Sequence, residues 1–435
     1  MPGNDYIDSY YAATLPARAP RPSLQESLEA EVCVIGGGLA GLTAARELAR
    51  RGRDVVLLEA CRVGWGASGR NGGSVSPGFA QGQTALEQRL GMDHARKLHD
   101  LSAAGAAYIE AAVAETGAGE VIEGRGCLRL IRHGDVAGLR ALRDRLEADY
   151  GEEVEFWDGE RVRACLRTSL YRAGLHYPKG FQIHPLHYAL VFADLAEREG
   201  LRLFEASPAL SLRRQGAGWR TDSANGSVTS QHVVLATSAY GVGQNLYPRL
   251  ERALLPIATY IVASEPIGPP LHEVIGYSGS LGDSRRASDY YRKVAGDRLL
   301  WGGRITTRRS EPARLGQLLK RDIAQVYPEL EDLRIAQAWS GLMGYAVHKM
   351  PILGELETGL WAATAFGGHG LNTSTMAGQL VAQAIVEGDD TWHLFRPFQP
   401  RWAGGPLGRL ATQLEYWRLR ALDRWDERRA AAGAP

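Results

Sequence analysis

Lysine is nearly absent. Only Lys97, Lys179, Lys293, Lys320 and Lys349 occur among 435 residues, so arginine carries almost all the positive charge, an imbalance that base-composition bias in the source genome explains. The net charge is +1, and no whole-chain field points to nucleic acid or to a membrane. Cysteine is scarce as well. Cys33, Cys61, Cys127 and Cys165 show no C-x-x-C spacing, which argues against a zinc site and a disulfide framework and fits a reduced, cytoplasmic setting. No run of about 18 uninterrupted apolar residues occurs, so no transmembrane helix is expected. No basic start followed by an apolar core marks a signal peptide. Neither a Ser/His/Asp set nor a metal-ligating set is evident. The composition that remains, 45% hydrophobic and 23% charged, is that of a soluble globular protein long enough for two or three structural units.

What is present is organised around one stretch. Val32, Cys33, Val34 and Ile35 form a β-branched apolar run that stops at Gly36, Gly37 and Gly38. Leu39, Leu42, Ala45, Leu48 and Ala49 then recur at helical spacing. Gly36, Gly38 and Gly41 make G-x-G-x-x-G between strand and helix, with Leu39 and Ala40 opening the helix. The first glycine permits the turn, the second lets a pyrophosphate approach the backbone, and the third lets helix and strand pack closely. A second strand, residues 54–58, ends at Glu59, 21 positions after Gly38. A carboxylate there accepts from a ribose 2′-hydroxyl and repels a 2′-phosphate. The plain alternative is an ordinary β-turn-α connection, but strand, helix, second strand and terminal acid together favour a bound dinucleotide.

Directly after Glu59 and Ala60 comes a glycine-dense loop, residues 61–73. Its Gly66, Ala67, Ser68, Gly69, Asn71 and Gly72 offer backbone N–H groups to a flat ligand, and Arg62 or Arg70 can meet phosphate. Residues 86–116 follow a helical pattern, 136–150 read as a charge-rich amphipathic helix, and 201–234 alternate like a small antiparallel sheet. His184 precedes another helix, where a capping or core role is favoured over catalysis. Residues 232–241 are again a strand running into small residues, Ala236, Thr237 and Ser238. Residues 254–307 read mostly as strand and 315–327 as helix. A third strand then stops at Gly367, Gly368, His369 and Gly370 before Leu371, Asn372 and a helix. The first 28 residues read as an irregular arm. In the tail, Leu407, Leu410, Leu414, Trp417, Ala421, Leu422 and Trp425 form one helical stripe among arginines. That stripe predicts a helix packed on the protein's own surface with both tryptophans buried. Peripheral membrane contact or a subunit contact is the alternative.

Residues 63–73, the strand ending at 236–238, residues 350–354 and the turn at 366–370 together resemble, in order, the flavoprotein family of D-amino-acid and sarcosine oxidases. Residues 10–14 and 63–73 look closest to its gamma-glutamylputrescine oxidoreductase branch. The resemblance implies an α/β (α+β overall) fold: a Rossmann-like FAD-binding domain with an inserted, mainly antiparallel-sheet substrate domain. The expected bounds are 29–90, 182–245 and 341–395 for the first and 91–181 and 246–340 for the second, with arm 1–28 and helical tail 396–435. It implies FAD as cofactor, no metal, a small-molecule amine as substrate, and O2 or another electron acceptor. The expected reaction is hydride transfer from a C–H beside an amine nitrogen, then imine hydrolysis. The turn's Gly370 and Leu371 N–H groups would face negative charge on the reduced flavin.

The sequence also departs from that family. Asn372 stands where sarcosine oxidases carry a carboxylate-gripping lysine, and Leu300 where their oxygen-activating lysine is matched, with Lys349 the nearest substitute. The substrate-side candidates are therefore His369, Asn372, Lys349, Tyr291 and Arg304, with Arg304 the best partner for a distal carboxylate. Some relatives tether FAD through a cysteine just before the 350–354 element. No cysteine follows Cys165 here, so non-covalent FAD is expected. The competing reading is an NAD- or FAD-dependent 2-hydroxy-acid dehydrogenase.

Overall fold

A strand that is apolar at every position must be covered on both faces. In the computed structural model, which describes residues 5–286 and 288–432, residues 32–35 end the strand Ser27–Ile35 in the middle of an eight-stranded sheet. The first and last residues of the expected arm and tail, 1–4 and 433–435, lie outside the described residues. Across this sheet run Ile352–Glu357, Leu360–Thr364, Ser227–Leu235, Ser27–Ile35, Val55–Leu58 and Arg202–Phe204. The last five are parallel, with Val34 level with both Val234 and Leu57. Alternation divides the side chains between two cores. Val32, Val34, Val55, Leu57 and Val234 pack beneath helices, among them Leu39–Arg50, Pro185–Arg198 and Gly370–Glu387. Cys33, Ile35, Val56, Leu58, Val233 and Leu235 pack with Trp219 of the hairpin Ser211–Gln215 and Gly218–Asp222 on the other face.

The second sheet has nine strands. Ile335–Tyr345, Leu255–Ser264, Arg298–Thr306, Tyr290–Val294 and Ser280–Asp283 continue through Ile122–Ile131, Ala173–Ile183 and Ser74–Val75. Its pairings are antiparallel except that of Ser280–Asp283 with Ile122–Ile131. The molecule is thus a Rossmann-like sheet joined to a mainly antiparallel one, and the strands of each come from several separated stretches of chain.

Several expectations are corrected here. The helix read over residues 86–116 is two, Gln83–Leu90 and Met92–Thr116, broken at Gly91 with φ +84°. Met92–Thr116 packs on Gly370–Glu387, and a Cβ on Gly105 would come within 2.2 Å of the Asn372 carbonyl oxygen. This helix thus packs on helices that lie over the parallel sheet, Pro185–Arg198 and Gly370–Glu387, although it follows the expected boundary at 90. The expected boundaries at 181 and 340 cut through strands of the antiparallel sheet. The arm contains a helical turn, Tyr10–Ala13, capped by Ser9, with Tyr10 and Tyr11 buried. The tail is the helix Gly405–Ala432, but Trp417 and Trp425 are 52% and 62% exposed, so the stripe does not bury them. No helix among the described residues is long and apolar enough to cross a membrane.

Candidate active site

The two sheets enclose a cavity of about 850 Å³, within the range of cofactor and substrate sites. Its first wall is the turn after Ser27–Ile35. Gly36 has φ +114°, and a Cβ there would lie 2.7 Å from the Ala236 carbonyl oxygen. Gly38 starts the helix Leu39–Arg50 with no side-chain cap, so the positive end of the helix dipole opens on the cavity beside Leu39 and Ala40. The Leu39 N–H donates to Ser68 Oγ at 3.0 Å. Gly41 sits behind this wall: a Cβ on it would meet the Gly36 carbonyl oxygen at 2.0 Å.

Glu59 ends the next strand and lines the cavity with Ala60. Its Oε2 accepts from the Gly37 N–H at 2.6 Å and its Oε1 from the Cys61 N–H at 2.8 Å. Burial raises this carboxyl above the usual range, against the pull of those two donors. Gly66, Ala67, Ser68, Asn71 and Gly72 line the next stretch of wall. Asn71 folds that loop: its Nδ2 donates to the Ala67 and Ser68 carbonyls and its Oδ1 accepts from the Gly73 N–H. Gly69 lies behind, where a Cβ would be 2.3 Å from the Gly64 carbonyl oxygen. Arg70 reaches into the wall with its guanidinium 4.0 Å over the Trp65 ring. Its Nε donates to the Trp65 carbonyl, whereas its buried Nη2 has no partner. Burial holds its pKa below the usual arginine value.

Ala236 and Thr237 line the cavity at the end of Ser227–Leu235. Gly367, Gly368, His369, Gly370, Leu371 and Asn372 close it opposite. Gly367 has φ +59°, and a Cβ there would press on Tyr345 at 2.7 Å. Gly370 begins an 18-residue helix without a side-chain cap, so a second positive helix end is presented to the cavity. The His369 ring is enclosed by protein but open to the cavity. Burial, then the nearby Arg129, push its pKa down to about 3, so it is neutral. The antiparallel sheet supplies Arg129, Tyr177, Tyr290, Ile305, Met343 and Tyr345. Arg129 lies over the Tyr177 ring at 5.4 Å and reaches Ser76 Oγ at 3.4 Å, and makes no ion pair among the described residues.

A family model described as FAD dependent oxidoreductase matches residues 31–384. The chain belongs to that family. It is 31% identical to gamma-glutamylputrescine oxidoreductase of Escherichia coli K12, covering 88% of this chain and 90% of that protein. It is 29% identical to the probable oxidoreductase OrdL of Haemophilus influenzae, covering 97% and 98%. The glycine oxidase structure from Geobacillus kaustophilus shares the fold, with TM-score 0.71 at 22% identity over 86% of this chain and 99% of that one. The cavity of this FAD-dependent oxidoreductase fits its cofactor. The glycines leave no room for side chains, two helix starts whose N-cap residues offer no capping side chain point inward, and the buried Arg70 guanidinium behind the wall keeps one nitrogen without a partner.

Several residues expected at the oxidoreductase site lie off its wall or have their polar groups committed to other partners. Arg62 lies off the cavity wall, its Nε donating to Glu205 Oε2 at 2.8 Å, so it does not meet phosphate. Arg304 is held by Asp322 at 2.5 and 2.8 Å, outside the cavity, and is not open to a substrate carboxylate. Tyr291 is among the lining residues, but its hydroxyl bonds Tyr171 and Tyr327 in the far core and its ring stacks on Trp301, so it offers the cavity no polar group; its neighbour Tyr290 also lines the cavity. Lys349 is exposed and off the wall. The Asn372 amide is committed to Ser102 Oγ at 2.8 Å and the Gly78 carbonyl at 3.2 Å, a tie between helices. Of the five catalytic candidates only His369 has its side chain on the wall and free of such ties. Sequence reasoning missed Arg129, although one arginine between the buried Leu128 and Leu130 marks by alternation a side chain on the opposite face.

Proposed function

We propose that this FAD-dependent oxidoreductase oxidises the C–N bond of an amine derived from an amino acid, in the class of gamma-glutamylated polyamines. The observation that carries the reading is Arg129, a cation on the cavity wall with no carboxylate partner among the described residues. A substrate carboxylate would complete it, a role Arg304 is not free to take. When bound, FAD supplies the acceptor for the hydride leaving the C–H beside the amine nitrogen, and water hydrolyses the resulting imine to a carbonyl and a free amine.

The chain's own part is to bind and orient. Residues 36–40, Glu59 and Arg70 hold the dinucleotide end, and the uncapped start of Gly370–Glu387 faces the electron-rich end, where negative charge is stabilised. Neutral His369 adds no competing positive charge beside a substrate amine. Tyr177 and Tyr290 provide aromatic surface for the substrate chain. No lysine is among the residues lining the cavity, which favours an acceptor other than O2 on the family resemblance. The similarity to gamma-glutamylputrescine oxidoreductase supports the substrate class.

The test is anaerobic stopped-flow with gamma-glutamylated diamines, simple secondary amines and 2-hydroxy acids. Flavin bleaching by the carboxylate-bearing amines is expected. Arg129→Met should raise KM for them about ten- to hundredfold while leaving simple amines unaffected. Bleaching by hydroxy acids alone would overturn the reading.

A further inference from the structure

The helix Gly405–Ala432 turns its polar side to the protein. Gln413 Oε1 accepts from the Thr306 hydroxyl at 2.8 Å and the Thr307 N–H at 3.0 Å. Asp423 accepts from Arg286 at 2.7 Å, Asp426 from the same guanidinium at 2.9 Å, and Glu427 from Arg285 at 2.8 Å. These contacts fix the helix's rotation, and they leave its apolar side outward. Leu407, Leu410, Leu414, Trp417 and Trp425 each keep more than half of their surface in solvent. With Ala411, Ala421 and Leu422 they fall within roughly 140° of the circumference at 3.6 residues per turn, and the stripe runs about 27 Å. Trp402, exposed just before the helix, extends it. A contiguous apolar face of this kind marks an interaction surface.

The charge on the same helix is sorted. Its acids Asp423, Asp426 and Glu427 are drawn inward by Arg285 and Arg286. Exposed along the outer side are Arg418, Arg424, Arg428 and Arg429 against a single acid, Glu415, which already pairs with Arg418 at 2.7 Å. An apolar stripe with two tryptophans, bordered by Arg424 and interspersed toward its end with Arg418, Arg428 and Arg429, whose stems can lie along it while their heads reach out, matches the boundary between acyl chains and anionic headgroups. A second copy of the chain matches it poorly, because apposing two such faces sets arginine against arginine with no free acid to answer.

We propose that the outer face of this helix seats the enzyme on an anionic lipid bilayer, as a peripheral contact. Full-length flavin-loaded protein should float with vesicles of phosphatidylcholine mixed with phosphatidylglycerol and stay down with phosphatidylcholine alone. Trp417→Glu combined with Trp425→Glu should abolish flotation. Arg424→Gln and Arg428→Gln should each weaken partitioning about fivefold. These side chains are exposed, so the flavin spectrum and the rate of substrate-driven bleaching should not change. Absence of flotation, or flotation that survives the double tryptophan change, overturns the proposal. So does a stable dimer in solution that Trp417→Glu dissociates without any vesicle binding, which would assign the face to a second copy.

Discussion

Arg70 and Arg129 are both on the cavity wall without a carboxylate, yet they differ in what surrounds them. Arg70 is buried, stacked on Trp65, with one nitrogen unbonded. A buried charge without a partner costs stability until a ligand supplies one. Arg70→Leu should therefore weaken FAD binding roughly ten- to hundredfold while leaving the flavin-free protein as stable as before or more so. Flavin fluorescence titration of the apoprotein, with its unfolding midpoint, reads both. A flavin-free variant less stable than its parent would show that Arg70 is a structural group instead. Arg304 and Tyr291 show how far single residues can be read from sequence. Nothing local announces that Asp322, on a later helix, takes the Arg304 guanidinium. Tyr290 and Tyr291 are chemically equal in the sequence, and only strand register decides which of them sends its hydroxyl into the far core. Ser238 has φ +49°, a left-handed conformation that its sequence context does not announce.

At the scale of elements, the start of Pro185–Arg198 carries a pH dependence. His184 is its N-cap: Nδ1 accepts from the His187 N–H at 3.1 Å, and Nε2 lies 3.1 Å from the Thr14 hydroxyl. Burial, with His187 and Arg292 adding to it, pushes its pKa down to about 3. The folded protein holds the ring neutral, while the unfolded chain protonates it near pH 6.5. Its contribution is therefore complete above about pH 6.5 and is lost as pH falls toward 3, at up to about 1.4 kcal/mol per pH unit. His184→Asn keeps a capping acceptor and removes the proton. Urea unfolding from pH 7 to pH 4 should show a slope shallower by one proton in the variant, and equal slopes would refute the assignment. The sequence placed the capping role correctly because caps are local. It could not place Met92–Thr116, because periodicity says that a helix has an apolar face and not which sheet lies beneath it. The answer rests on Gly105 meeting Asn372 across the chain. The tail helix failed for the same reason: its stripe is legible, but its rotation is set by Arg285, Arg286 and Thr306, all remote in sequence.

Over the whole molecule, the strand–turn–helix units that bind the dinucleotide were legible, since glycine spacing and strand ends are short-range signals. The substrate side was not, since its wall is assembled from strands far apart in sequence. The cofactor's attachment belongs to this scale too. Cys33 and Cys61 lie off the flavin-facing turn, Cys165 is off the wall, and the Cys127 thiol is engaged by Ser280 at 3.1 Å. Denaturation followed by filtration should release all the flavin, and colour retained on the protein would implicate a histidine link. The parallel pairing of Ser27 with Ser227 has a further consequence, for synthesis. A ribosome adding about 5–20 residues per second emits the central strand some 10–40 s before its neighbour on that side. Throughout that interval the buried half of this central strand, residues 32–35, has an open edge, and the last piece of the cofactor cavity, Gly367–His369, is made later still. A nascent chain of this design carries an unpaired apolar edge, an aggregation hazard, through much of translation, and flavin can act as a folding ligand only after nearly all of the chain has emerged.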